Sequence, residues 1–275
     1  NSALQLFCNT SLIENTTNSG EISLELLKFY KNYIQTTSSP QNLKQLIGRK
    51  YRQFSGYQHQ DAHELLITLI DLIHHEQKQK GRYTQIDYDL MPIKEAFDHY
   101  KGAMQQFEQS KIQNTLKFYE IRTHKCQKCQ SQTFSFQQEQ EKIQDLKQQF
   151  NTDSDQLLTK YCRQCKCQEK HISKSQIYEA PKQLIVVLKR FTQSGGKDSK
   201  RYELPLQVTI NEYTGESKKY KAKAVILHSG STGGGHYTAW VRRGEQWFDC
   251  NDSLVQTCTV NLCDPRVYVV SYEQQ

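Results

Sequence analysis

A chain of 275 residues with 36 Lys and Arg against 29 Asp and Glu carries a formal charge of +7, and only 36% of its residues are hydrophobic. That length holds one large domain or two small ones with a buried core, and no apolar run approaches the roughly 18 residues of a membrane span. The cations are dispersed, with short clusters only at Lys218-Lys219 and Arg242-Arg243, so a solvated surface is expected rather than a nucleic-acid interface.

Two stretches near the start, 3–13 and 22–35, carry apolar residues at helical spacing, with a polar segment between them. The strongest helix is read over 56–76, GYQHQDAHELLITLIDLIHHE, with Leu65, Leu66, Leu69, Ile70 and Ile73 on one stripe and Asp61 and Glu64 in its first turn. Residues 92–118 read as a polar helix. The hydrophobic deficit falls mainly in 76–180, where an extended, solvated region is expected. From about 117 the texture turns to strand: 117–136 and 176–191 alternate or run apolar. LIVVLKRF (184–191), AKAVILH (222–228), HYTAWV (236–241), QWFD (246–249) and RVYVVSY (266–272) read as strands between Gly-, Pro- or Asn-containing turns. The order is a helical lobe, a cysteine-bearing β insertion and a β lobe, with no internal repeat.

The nine cysteines include two CxxC units, Cys126/Cys129 and Cys162/Cys165, separated by residues 130–161. Each CxxC turn can aim two sulfurs at one ion. Two such turns together make the closed tetrahedral site of a structural zinc, with no open position for catalysis. Cys167 stands two residues from Cys165 and is an alternative ligand. Paired CxxC units favour metal over disulfides and so an intracellular protein, cytoplasmic or nuclear. No secretory leader is read. The chain opens on Asn1 rather than Met, so a further amino-terminal segment is expected to precede it.

The stretch GGGHYTAW (233–240) sets a titratable ring between three glycines and a strand. If RRGE (242–245) is a four-residue hairpin loop, Val241 faces Gln246 and His236 faces Asn251. An amide oxygen there would hold one imidazole tautomer and aim the other nitrogen outward, as in a nucleophile–base–orienter triad. A one-residue bulge would bring Cys250 or Asp252 opposite instead. The bland alternative is a histidine that merely ends a surface hairpin. The glycines would let a substrate backbone approach closely. His followed by Asn late in a chain fits a cysteine protease, yet Cys8 is a poor nucleophile. It sits mid-helix on the stripe of Leu4 and Ile13, as a small buried apolar group would.

NSALQ (1–5), GYQHQDAHELL (56–66), LIVVLKRF (184–191), HSGSTGGGHYTAW (228–240), FDCNDS (248–253) and the paired CxxC units occur in an order that resembles the ubiquitin-specific proteases, cysteine-type deubiquitinases. The resemblance covers nearly the whole chain. It implies an α+β, papain-like thumb–palm–fingers architecture in one catalytic domain. The helical thumb would span 1–115, the zinc-ribbon-like fingers 116–180 and the β palm 181–275. It maps His236 onto the general base, Asn251 onto the orienting residue and Asp252 onto its acidic neighbour. Asp61, Glu64, His228 and Tyr237 fall where the family lines the channel for the ubiquitin tail, and Cys126, Cys129, Cys162 and Cys165 where it holds one structural zinc ion.

Three departures stand out. NSALQ matches only the end of the family's cysteine box, so the nucleophile would lie three residues before Asn1. QHQD stands for QQQD with Leu65 in place of the usual Phe, and Cys250 lengthens the FDCNDS stretch, which leaves Asn251 and Asp252 both open as orienter. The function implied is thiol-dependent hydrolysis after the carboxyl-terminal glycine of ubiquitin, with residues 1–275 alone inactive. The alternative is a catalytically silent relative that grips ubiquitin or serves as a scaffold in a larger assembly. Ubiquitin or ubiquitinated proteins are the expected partners, together with a larger protein assembly.

Overall fold

The computed structural model describes residues 2–35, 39–82, 91–144, 155–192 and 195–275; Asn1 lies outside them. The helix read over 3–13 divides into α1 (Ser2–Cys8) and α2 (Ser11–Glu14). Asn9 ends α1 by donating from Nδ2 to the Gln5 carbonyl (2.8 Å), and Thr10 is extended at φ −129°. Side-chain bonds of this kind compete with helix continuation. The helix α3 (Glu21–Gln35) matches the second apolar stretch. It is followed by α4 (Gln41–Lys50) and a 3₁₀ turn at Arg52–Phe54, both absent from the sequence reading because few residues there are apolar.

Asp61 is not in the first turn of the next helix, α5 (Ala62–Gln77), but is its cap: Oδ1 accepts from the backbone N–H of His63 (2.7 Å) and Glu64 (3.2 Å). Such a cap contributes about 1 kcal/mol. After β1 (Gln79–Lys80), the single helix read over 92–118 is two helices, α6 (Ile93–Phe107) and α7 (Lys111–Leu116), parted by β2 (Glu108–Gln109). Ser110 caps α7 through Gln113 N–H (3.2 Å).

Twelve further strands follow among the described residues. They are β3 (Phe118–Cys126), β4 (Gln132–Glu139), β5 (Lys142–Gln144), β6 (Gln156–Cys162), β7 (Cys167–Glu179) and β8 (Gln183–Leu188), then β9 (Gln207–Asn211), β10 (Ser217–Ser231), β11 (Gly234–Arg243), β12 (Gln246–Asn251), β13 (Leu254–Cys258) and β14 (Val267–Gln274). Four of them make one antiparallel sheet in the order β4-β3-β7-β6. A larger sheet runs β13-β12-β11-β10-β14-β8-β5, with β9 also paired to β10. The fold is thus α+β, with the cysteine pairs on a separate ribbon-like sheet.

The larger sheet is buried on both faces, which is why its inner strands read as continuous apolar runs. Along β8, Ile185 and Val187 face the helices, packing with Leu6, Phe7, Leu66, Leu69 and Ile70. Leu184, Val186 and Leu188 point the other way, toward Tyr202, Leu204, Ile210 and Tyr220. Arg190 of the LKRF stretch is also fully buried. It donates to the carbonyls of Val267, Asp198 and Lys200 and so ties the 198–200 segment to β14.

The solvated region expected over 76–180 is not found throughout. Ala96 and Phe97 of α6 bury with Tyr119, Ile121, Phe136 and Tyr178 of the ribbon sheet, and the Phe97 and Tyr178 rings lie 4.1 Å apart. A few large aromatics supply the area that many aliphatics would. Residues 83–90 and 145–154 of this stretch lie outside the described residues.

Candidate active site and metal centre

His236 lies on β11 and Asn251 at the end of β12. Their pairing differs from the expected one. Arg243 faces Gln246 and Ala239 faces Cys250, so the loop is the two residues Gly244-Glu245, not four. Gly244 adopts φ 58°, which glycine reaches at little cost and which suits a two-residue hairpin turn. His236 and Asn251 are therefore diagonal rather than directly opposed. The register moved by two residues, and a strand repeats its facing every two, so both side chains kept the same face.

Their contact is direct: His236 Nε2 lies 2.7 Å from Asn251 Oδ1. An amide oxygen only accepts, so Nε2 carries the hydrogen and Nδ1 is left as the base. The Asp252 carboxylate stands farther from Nε2, at 3.7 Å, and is itself two-thirds exposed. It holds φ 52° in the β12–β13 turn, a left-handed conformation that Asp tolerates. The His236 side chain is half exposed (51%), so a reacting group can reach it. The helix α1 packs directly against β11, β10 and β12, which seats the start of the chain against the strand that carries the imidazole.

Cys8 and Cys250 are excluded as its partners. Both are buried in the core shared by the helices and the sheet. Burial pushes the Cys8 thiol up to about 12 and the Cys250 thiol up to about 11, the opposite of an activated nucleophile.

Asp61, His228 and Tyr237 meet beside this strand, as the sequence motifs suggest. The meeting includes a residue the sequence reading missed, Tyr268 of β14. Asp61 Oδ2 accepts from the hydroxyls of Tyr268 (2.9 Å) and Tyr237 (3.3 Å). Burial, followed by the Asp61 charge, raises both phenols above their ordinary range. Asp61 is thus engaged through both oxygens, holding the start of α5 to the sheet. Glu64, by contrast, lies toward solvent with Oε1 accepting from Gln53 Nε2 (2.8 Å). The only sequence sign of Tyr268 was its place in the alternating run RVYVVSY.

His228 is buried at 3% exposure, its ring against Tyr237 (4.6 Å) and Phe191 (5.3 Å). Burial and then the Lys197 ammonium hold its pKa below the usual imidazole value. Lys197 Nζ donates to the His228 carbonyl (2.7 Å). A cavity of about 350 Å³ opens next to these groups, between Ser2, Leu43, Tyr57, Asp61 and Tyr237.

The glycine requirement is sharpest at Gly235. A β-carbon there would overlap His228 Nε2 and the Ser229 carbonyl. Gly235→Ala is accordingly expected to displace His228 or part β11 from β10, at about 2 kcal/mol or more. Thermal unfolding checks it, with Gly233→Ala, which meets nothing within 4 Å, as the matched control. An equal effect in both variants would remove the steric account.

The four cysteines of the CxxC pairs converge. Cys126, Cys129, Cys162 and Cys165 place their sulfurs within 4.8 Å of one another, with Cys129 and Cys162 3.5 Å apart and Cys126 and Cys165 3.9 Å apart. Zn–S bonds of about 2.3 Å in a tetrahedron set sulfurs ~3.8 Å apart, so the cluster fits a single tetrahedral metal ion. Hydrogen bonds from the Ser131 hydroxyl and the Cys165 backbone N–H draw the Cys162 thiol down to about 5, whereas burial raises Cys165. Crowded thiols cannot all ionise without a cation among them. Cys167 lies outside the cluster and donates to Glu169 Oε1 (3.2 Å).

The sequence matches the family described as Ubiquitin carboxyl-terminal hydrolase over residues 1–272. It is 29% identical over 243 residues to ubiquitin carboxyl-terminal hydrolase 17-like protein B of Mus musculus, covering 81% of this chain and 48% of that protein. It is 27% identical over 266 residues to ubiquitin carboxyl-terminal hydrolase Usp2 of Drosophila melanogaster, covering 86% of this chain and 28% of that protein. The chain therefore spans half or less of the length of these curated relatives. Its fold is similar to that of the SAGA DUB module of Ubp8, Sgf11, Sus1 and Sgf73 bound to monoubiquitin, with a TM-score of 0.78 at 20% identity over 100% of this chain and 66% of that one. With a family match over residues 1–272, the chain belongs to the ubiquitin carboxyl-terminal hydrolase family.

Proposed function

We propose that the protein is a cysteine-type deubiquitinase that cleaves the peptide or isopeptide bond after the carboxyl-terminal glycine of ubiquitin. The observation that carries this reading is the 2.7 Å contact between His236 Nε2 and Asn251 Oδ1, which leaves Nδ1 of an accessible ring as the free base. The nucleophile is a cysteine preceding Asn1, close to the start of α1. His236 Nδ1 takes its thiol proton. The thiolate attacks the glycine carbonyl, and the C–N bond breaks as the imidazolium returns the proton to the leaving amine. Water then enters, gives a proton to His236 and hydrolyses the thioester, regenerating the thiol.

Asn251 orients the ring and Asp252 supports the imidazolium from beyond it. Asp61, Glu64, His228 and Tyr237 line the tail channel, where Glu64 meets the tail's cationic side chains and Asp61 fixes the channel wall. Residues 1–115, 116–180 and 181–275 serve as thumb, fingers and palm. Cys126, Cys129, Cys162 and Cys165 hold one zinc ion, which braces the fingers and takes no part in the chemistry. The reading places the protein inside the cell, in cytoplasm or nucleus, working on ubiquitinated proteins and within a larger assembly. Among the described residues no helix is long and apolar enough to cross a membrane.

The test is to treat the full-length protein with ubiquitin bearing a thiol-reactive electrophile at its carboxyl terminus. A mass adduct on a cysteine just before Asn1 is expected. Ubiquitin held without an adduct would instead identify a silent scaffold.

A further inference from the structure

The ribbon sheet carries a second feature that hydrolysis does not use. Beside the sulfur cluster lies a cavity of about 270 Å³ whose lining includes Lys160, Arg163, His124, His171, Thr133 and Ser135. Among its described lining residues there is no carboxylate. The register explains the grouping. His124 on β3 faces Thr133 on β4, and Ser135 faces Arg122, two residues before His124. His171 on β7 faces Cys126 on one side and Leu158 on the other, two residues before Lys160. Residues two apart share a face, so strand geometry collects these side chains on one side of the sheet.

Two observations mark the cavity as more than a solvated basic surface. His124 Nδ1 is buried with no hydrogen-bond partner among the described residues, at a cost in stability. His171 is buried at 4% exposure, its ring fixed by Nδ1 donating to the Glu169 carbonyl (2.9 Å). An ammonium, a guanidinium and two hydroxyls around one concavity are a donor set for a tetrahedral oxyanion.

We propose that this cavity binds a phosphoryl group. The site lies in the fingers, apart from His236, and does not depend on hydrolysis. A competing account is that the cations only balance the four thiolates, which with a divalent ion leave a net charge of −2. The two accounts part in a double variant, Lys160→Gln with Arg163→Gln.

The experiment titrates inorganic phosphate, and separately a phosphoserine peptide with its unphosphorylated twin, into the zinc-loaded full-length protein at low ionic strength by calorimetry. Saturable phosphate binding is expected, weakening as salt rises and falling at least about tenfold in the double variant, while zinc stays at one per chain. Thr133→Val, which keeps every charge, is expected to weaken binding as well. Tighter binding of the phosphopeptide than of free phosphate would make a phosphorylated chain the source, and equal binding a free anion; either supports the site. No saturation in the millimolar range, unchanged affinity in the double variant, or loss of zinc from that variant would overturn it.

Discussion

In the full-length protein, His236→Ala is expected to lower kcat/KM on a ubiquitin conjugate by about 10²–10⁴-fold, the range of a positioned general acid–base group. The ring is accessible and its Nε2 is already committed to Asn251, whereas His228 is buried and His63 is bonded to Glu141 (2.6 Å). Removing Asn251 should cost less than removing the base, because the ring remains but loses its fixed tautomer. Asp252→Asn should cost less again, since that carboxylate stands 3.7 Å away and mostly in solvent. The order His236 > Asn251 > Asp252 in lost kcat/KM, with ubiquitin affinity little changed, is the result to look for. A larger loss for Asp252 than for Asn251 would reassign the orienter, and full activity in His236→Ala would end the proposed mechanism.

Cys162→Ser carries the largest structural effect. Serine does not supply a thiolate, and structural zinc in zinc-finger peptides contributes on the order of 10–16 kcal/mol of binding that is felt as folding free energy. Metal analysis should fall from one zinc per chain to none. The loss should also be local. The sulfur cluster terminates the ribbon sheet, whereas the buried cores around β8 and β10 lie elsewhere. Hydrogen exchange should therefore rise across β6, β7 and the CxxC turns while β8, β10 and β14 stay protected. Zinc retained at one per chain would show that another residue, with Cys167 nearest in sequence, completes the site.

What the sequence made legible follows from how each signal is built. The CxxC pairs were readable because a metal needs sulfurs at fixed local spacing, whatever lies between the pairs. The partnership of His236 and Asn251 was readable although the loop length was not: a two-residue error in register preserves facing, and a one-residue error would not have. Inner strands such as β8, buried on both sides, announced themselves as apolar runs. The helix α4 did not, because Leu43 and Ile47 are its only large buried apolar side chains. The division between α1 and α2 rests on side-chain bonds from Asn9 and Thr10 back to the Gln5 and Phe7 carbonyls. Asp61 could be singled out from its motif, but its two tyrosine donors come from positions 237 and 268, a long-range convergence that no local pattern announces. The expectation for 76–180 erred for a related reason. Mean composition counted many Gln and Lys but did not weigh the few aromatics that bury α6 against the ribbon sheet.

The helices and the larger sheet share one continuous core, in which Leu6, Phe7 and Leu66 interlock with Val187, Ile226, Ala239 and Val269. Swinging the helical half away from the sheet would return many such side chains to water at about 1.5–3 kcal/mol each, far more than an ordinary ligand could repay. Among the described residues the shared core therefore holds the two halves together as one block. The imidazole is reached without any such swing, being half exposed, and the thin glycine-bearing tip between β10 and β11 is tied back by the Thr232 hydroxyl, which donates to the Gly195 carbonyl (2.5 Å).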